Sequence, residues 1–301
     1  MLFSIIIPTY NRAHLIQNTL LSVLNQEFED YEVIIIDDGS KDKTQLAVEN
    51  FIKHNNLLNW NYYYKENGER GAARNYGITK ATGEWITFLD SDDLYYHHHL
   101  SLASEFISKN DEISVFHSAY EFRNQKDQLL RKVSYPKNND LNQSVLKGNV
   151  FSCFGMFVKK EVLRNCKFSD ERTLSGTEDW LLWLQLSARY KIHLQPKVSG
   201  CMIQHNGRSV LGFSIDQMLA RTNLLILYLD NDTEFESIYG KRVIKRIHAH
   251  MMTYIALHLV IMGQKQISIK YFMKGISMSV SELFSRRALA FFKYLFIKYS
   301  A

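Results

Sequence analysis

Residues 3–40 read FSIIIPTYNRAHLIQNTLLSVLNQEFEDYEVIIIDDGS, and this stretch decides the fold. FSIII at 3–7 is a continuous apolar run ending at Pro8, the pattern of a strand buried on both faces. Leu15, Thr19, Leu20, Val23 and Leu24 then recur at helical spacing, with Asn11 placed to cap that helix. EVIII at 32–36 is a second buried strand, stopped by Asp37, Asp38, Gly39 and Ser40. Two buried strands joined through a helix predict parallel pairing.

The alternation continues outward. A helix with Ala47, Val48, Phe51 and Ile52 on one face leads to a third strand at 60–65, WNYYYK. A helix over roughly 71–81 leads to a fourth strand at 85–89, WITFL. This is an α/β chain with a mostly parallel, doubly wound sheet, in which ligands bind beyond the carboxyl ends of the strands. The loops after Ile7, Ile36, Lys65 and Leu89 therefore carry the chemistry. The middle third has short apolar runs at 113–116, 150–158 and 192–203. A polar, Asn/Lys-rich stretch at 124–143 reads as a mobile loop, and one strong helix covers 178–189. From Phe213 the pattern is wholly helical, without proline.

At 301 residues the chain suits one large domain plus an appendage, or two small domains. Cys153, Cys166 and Cys201 show no CxxC spacing, which argues against a thiolate metal site or a disulfide framework and fits a reducing compartment. The N-terminus lacks the pattern of a signal peptide, and no run is apolar for long enough to span a membrane. Residues 241–301 carry eleven basic side chains against the single acid Glu282, a net +10, while residues 1–240 are at −5. Within 283–299, Phe284, Leu289, Phe292 and Phe296 are mixed with Arg286, Arg287, Lys293 and Lys298. A basic amphipathic helix of this kind can lie on an anionic membrane surface; the alternative is a helical appendage packed on the rest of the chain.

Four loops hold candidate functional residues. Asp37 and Asp38 could bind a ribose or cap the next helix, but the GxGxxG of a dinucleotide fold is replaced by Pro8-Thr9-Tyr10-Asn11-Arg12. Tyr10 can pack on a nucleobase while Asp38 accepts from a ring N–H, which favours uracil or thymine. Asp90-Ser91-Asp92-Asp93 crowds three carboxylates that repel unless a cation compensates. In an extended chain Asp90 and Asp92 fall on one side and can share a hard cation, Mg²⁺ or Mn²⁺; the alternatives are a solvated acidic turn or an aspartyl-nucleophile phosphohydrolase. Thr177 stands at the cap of the third feature, a helix starting Glu178-Asp179-Trp180. Its acids are dipole partners of the helix or, for Asp179, a placed general base. His205 is either structural or a further metal ligand, with Arg208 and Ser209 as diphosphate contacts. The internal run His97-His98-His99 receives no role.

With these pieces in order, the chain resembles glycosyltransferase family 2, the inverting transferases with a GT-A fold. The resemblance covers about residues 1–210 and rests on SIIIPTYNR, EVIIIDDGSKDKT, NGERGAARNYGITKATGEWITFLDSDD and GTEDWLLWLQL. It implies that Pro8, Thr9, Tyr10 and Asp38 line a nucleoside pocket, with Arg74 and Asn75 supporting the nucleotide side; the alternative for Arg74 is a structural role. It also implies that Asp90 and Asp92 form the DxD, with Asp92 or Asp93 on the metal. Asp179 matches the catalytic base, and His205 a late metal-linked histidine of some members. Leu181 and Leu182 stand where the family often has a further charge, and the QxxRW motif of processive members does not occur.

The expected organisation is a GT-A catalytic domain at 1–212, with a nucleotide-binding half at 1–100 and an acceptor half at 101–212, followed by helices at 213–301. The expected activity is inverting transfer from a nucleotide-diphosphate sugar, a UDP-sugar by the Asp38 argument, to a saccharide or lipid-linked hydroxyl acceptor. Its setting would be bacterial surface polysaccharide or glycolipid synthesis. The location would be cytoplasmic, peripheral on the inner membrane face, with no nucleic-acid partner. A carboxylate- and metal-dependent hydrolase and a non-catalytic nucleotide-sugar-binding subunit are the competing readings.

Overall fold

The computed structural model describes residues 1–133, 135, 140–205 and 214–296. The chain divides into two compact units, one of residues 1–144 and 150–211, the other of 145–149 and 212–301. The sequence had assigned 145–149 to the first domain; these five residues group with the helical unit instead.

The first unit opens with β1 (Phe3–Thr9), α1 (Ile16–Leu24), β2 (Tyr31–Asp37) and α2 (Thr44–His54). Next come β3 (Trp60–Tyr64), α3 (Glu69–Lys80), β4 (Trp85–Phe88), β5 (Leu94–Tyr95) and α4 (His99–Ser108). The middle holds β6 (Val115–Ser118), β7 (Glu121–Asn124), β8 (Leu129–Lys132), α5 (Leu141–Val145), β9 (Met156–Lys159) and α6 (Val162–Asn165). The unit closes with α7 (Glu178–Arg189), β10 (Ile192–Gln195) and β11 (Gly200–Gln204). A seven-stranded sheet runs in the order β10-β6-β9-β4-β1-β2-β3. Only β9 is antiparallel to its neighbours, β4 and β6. Every residue of β1 and β2 is buried, as their unbroken apolar runs predict.

Glu32 is the exception in that apolar pattern, and it is satisfied where it lies. Its Oε1 accepts from Ser4 Oγ (2.6 Å), Thr82 N (2.6 Å), Thr82 Oγ1 (2.7 Å) and Gly83 N (3.2 Å). Burial raises the carboxyl pKa, but these donors outweigh burial and lower it overall.

A second sheet, in the order β5-β11-β7-β8, had no counterpart in the sequence reading. The stretch 124–143, read as a loop, contributes the hairpin strand β8 and the start of α5. Two cap assignments also change. Asn11 does not cap α1, which starts after Leu15; it sits at φ 51° with its N–H on Ser40 Oγ and its Oδ1 on Lys41 N. Thr177 precedes α7, but its hydroxyl donates back to Leu174 O rather than capping the helix.

The described part of the second unit is helical, with α8 (Ile215–Asp230), α9 (Thr233–Tyr239), α10 (Lys241–Ile261), α11 (Lys265–Met278) and α12 (Arg286–Phe296). Ala256, Val260, Phe272, Ala288 and Phe291 form one of its cores, with Phe272 and Phe291 stacked at 4.1 Å. Among the described residues no helix is long and apolar enough to cross a membrane.

Candidate active site

β1 lies between β2 and β4 and is parallel to both, so the loops following Thr9, Asp37 and Phe88 open at one sheet edge. Pro8 and Thr9 end β1, and Thr9 Oγ1 is buried without a hydrogen-bond partner. Tyr10 follows with 45% of its surface exposed, an aromatic face open to a ligand. Asp38 N donates to Thr9 O at 2.9 Å, which locks the two strand ends together.

The neighbouring aspartates divide their work. Asp37 is fully buried, and its two oxygens accept from Ser40 N and Tyr62 Oη, both at 2.7 Å. It is a structural residue of the turn. Asp38 Oδ1 accepts from Lys65 Nζ (2.6 Å) and Gly68 N (2.9 Å), and its Oδ2 from Asn67 Nδ2 (3.1 Å). Lys65 and Asn67, neither singled out by sequence, thus hold the carboxylate assigned to a nucleobase.

After β4 the chain turns, with Asp93 N on Asp90 O at 3.0 Å, so the acidic loop is not the extended segment the alternation argument required. Its carboxylates take separate partners. Asp90 Oδ1 accepts from Arg74 Nη2 at 2.7 Å. Asp92 Oδ2 lies 3.0 Å from His205 Nε2 and 3.7 Å from Arg12 Nη2. Asp93 is 1% exposed, and its Oδ1 accepts from Ile203 N at 3.1 Å. Asp93, expected near the metal, fixes β11 to the loop through this bond.

α3 ties this edge to α7. Buried Arg74 reaches Asp90 with one guanidinium nitrogen and Glu178 Oε1 with the other, at 2.8 Å, and lies over the Phe168 ring. Burial works against its cation, but the carboxylates of Asp90, Glu178 and Asp179 outweigh that and hold its pKa well above the usual value. Asn75 donates to Phe168 O (2.8 Å) and Asp170 Oδ1 (2.6 Å) and accepts from Phe168 N (3.1 Å). A side chain at Gly71 would meet Ser169 O at 2.2 Å, so glycine permits the close approach of α3 to this segment. Arg74, for which a structural role was the alternative, and Asn75, expected on the nucleotide side, clamp residues 168–178.

Asp179 is half-buried in the first turn of α7; its Oδ1 accepts from Trp180 N at 2.7 Å and its Oδ2 from the Cys153 thiol at 3.8 Å. Burial pushes the Cys153 pKa well up, which Arg74 offsets only in part, so the thiol stays protonated and donates. Glu178 is 2% exposed and takes Arg74 on Oε1 and Gly176 N on Oε2. His99, from the triple-histidine run, is buried beneath β11, on Ser199 Oγ at 2.8 Å. Arg208 and Ser209 lie outside the described residues.

Among the described residues no three His, Cys, Asp or Glu side chains surround a common point. Asp92 and His205 are the pair that fits a cation. Their side chains are 11% and 5% exposed; the carboxylate is the oxygen donor that Mg²⁺ or Mn²⁺ takes, and the imidazole nitrogen lies 3.0 Å from it.

A mostly parallel sheet with acid-bearing loops at its carboxyl edge places a ligand site where open α/β folds bind nucleotides, and the fold is similar to that of the GT-A transferases. The family model for glycosyl transferase family 2 matches residues 4–165, and the chain belongs to that family. An Escherichia coli protein named UDP-Glc:alpha-D-GlcNAc-diphosphoundecaprenol beta-1,3-glucosyltransferase WfgD is 30% identical, over 76% of this chain and 92% of that one. An uncharacterized glycosyltransferase of Rickettsia bellii is 32% identical over 62% of this chain, an alignment spanning 26% of that longer protein. The crystal structure of Staphylococcus aureus TarS 1–349 with UDP-GlcNAc superposes with a TM-score of 0.68 at 19% identity, covering 98% of this chain and 89% of that one. At that identity the likeness bears on the fold alone.

Proposed function

We propose that this protein transfers a sugar from a UDP-sugar to a hydroxyl of a lipid-linked saccharide, with inversion, during bacterial surface polysaccharide or glycolipid synthesis. One observation carries the reading. The half-buried Asp179 stands in the first turn of α7 beside Glu178, which Arg74 joins to Asp90, so an ionic link ties the start of the helix that carries the proposed base to the acidic loop. The E. coli relative's name supplies the acceptor class, a saccharide on undecaprenol diphosphate, and a β-linked product from UDP-glucose.

In this mechanism Tyr10 packs on the uracil, and Asp38 accepts its ring N–H beside Pro8 and Thr9. Arg12, close to Asp92, adds positive charge where the diphosphate lies. Asp92 and His205 would hold Mg²⁺ or Mn²⁺, which would supply a Lewis acid for charge developing on the leaving diphosphate. Asp179 takes the proton of the acceptor hydroxyl as that oxygen forms its bond to the anomeric carbon. The bond from that carbon to the diphosphate breaks on the opposite face. An α-linked donor therefore yields a β-linked product.

The acceptor's lipid gives the basic helices a use on the cytoplasmic membrane face. On α12, Ala288 and Phe291 face the helical core while Leu289 (70%) and Phe296 (80%) are exposed, beside Lys293; Phe284 just ahead is 84% exposed. The acid Glu282 is buried against Thr253 and Arg287 and offsets none of the surface charge. A basic face with exposed aromatic and aliphatic anchors binds anionic lipid.

The deciding experiment incubates the protein with a panel of UDP-sugars, Mn²⁺ and an undecaprenyl-diphosphate saccharide in anionic vesicles, and analyses the product linkage. A β-linked extended saccharide is expected. Equal UDP release with and without acceptor would point to a hydrolase, and donor binding without turnover to a non-catalytic subunit.

A further inference from the structure

The segment between β3 and α3 touches both ends of the candidate site. Asn67 donates through Nδ2 to the carbonyl (2.8 Å) and Oδ2 (3.1 Å) of Asp38, and its own Oδ1 accepts from Arg172 Nη1 at 2.9 Å. The other terminal nitrogen of Arg172 donates to the Asn67 carbonyl. Glu69 joins the same contact, with Oε1 3.3 Å from Arg172 Nη1 and Oε2 accepting from Ser175 Oγ at 3.0 Å. Arg172 and Ser175 precede α7, which carries Asp179 in its first turn.

The backbone is committed to this arrangement. A side chain at Gly39, itself at φ +85°, would meet Asn67 N at 2.9 Å, so the strap lies directly on the loop after β2. Glu69 adopts φ 69°, a left-handed conformation that is costly for a non-glycine residue and persists where surroundings over-determine it. Here Arg172 and Ser175 grip the Glu69 carboxylate. Asp38 Oδ1 already has Lys65 and Gly68 as donors, so an arriving nucleobase N–H must share or displace groups belonging to residues 65–68. A nucleobase N–H at this carboxylate would meet donors that residues 65–68 already supply.

We propose that Arg172 is a positioning residue that couples the nucleoside end of the site to the segment leading into the Asp179 helix. This rests on the donor reading above. The guanidinium fork spans the side-chain and main-chain oxygens of one residue, a geometry that a lysine ammonium does not reproduce. At 59% side-chain exposure Arg172 contributes little to stability, so its replacement leaves the fold intact.

Hydrogen–deuterium exchange on the full chain, with UDP as the probe, tests the coupling. In the wild type, UDP is expected to slow exchange in residues 65–69 and also in 170–178. In Arg172→Ala, UDP still protects 65–69, but the protection at 170–178 is lost, and Arg172→Lys loses it as well. UDP protection of 65–69 alone in the wild type, or equal protection of 170–178 in wild type and variants, overturns the coupling while leaving the donor reading standing. Absence of UDP binding to the wild type overturns both.

Discussion

Arg74 Nη1 donates to Glu178 Oε1 at 2.8 Å, with 1% and 3% of the two side chains exposed. Successive helical residues point about 100° apart, so Glu178 turns into the ion pair while Asp179 faces elsewhere. Removing one partner of a buried pair strands the other charge and costs about 3–5 kcal/mol. Arg74→Ala should lower the unfolding free energy of the first unit by about that amount, read from urea denaturation. A loss near that of an exposed ion pair, under about 1 kcal/mol, would contradict the buried-network account.

Asp38 bears on nucleotide choice. If its carboxylate accepts a pyrimidine N–H, UDP should bind more tightly than GDP or ADP in calorimetric titrations. Asp38→Ala should weaken UDP binding by about 1–3 kcal/mol, the scale of a lost buried polar partner. Tighter binding of GDP than UDP would remove Asp38 from this role.

Metal dependence separates the three acidic-loop carboxylates. EDTA should abolish transfer, and Asp92→Ala and His205→Ala should each mimic it in a folded protein. Asp93→Ala should instead lower stability by about 1–3 kcal/mol, because its buried bond to Ile203 N goes. Full transfer activity in EDTA would reject the cation.

Stability should respond to pH through buried histidines. Burial, the largest cause, depresses the pKa of both His99 and His117 to about 3. In the unfolded chain they titrate near 6.5, so as pH falls the unfolded state takes up protons first. The stabilisation is complete above about pH 6.5 and is lost as pH falls from there toward 3, at on the order of 1 kcal/mol per pH unit per histidine. Urea midpoints at pH 7 and pH 5 should differ accordingly, and His99→Gln should flatten the slope. A stability unchanged between those two values would contradict it.

The fold was legible where burial is continuous along the chain. FSIII and EVIII, and the apolar α7 at 178–189, announce themselves locally because neighbouring residues share one environment. The second sheet was not legible, because β8 is wholly exposed and its partner β7 pairs in parallel with β11, far away in sequence. In the site, the motif residues were found but not all their tasks. Arg74 and Asn75 meet partners 104 and 93 residues away, so their clamping of 168–178 left no trace in local spacing. Arg172 and Lys65 stand in no motif, and only folding shows that they hold Asn67 and Asp38.

The most direct test of the account is the turnover of Asp179→Asn. The amide keeps the size of the side chain and its acceptor oxygen but removes the basic site, and a positioned base contributes roughly 10²–10⁴-fold. Transfer from a UDP-sugar to a lipid-linked saccharide should fall by about that factor, while UDP affinity and the urea midpoint stay at wild-type values. Near-normal turnover in Asp179→Asn, with binding and fold intact, would contradict the assignment of Asp179 as the base.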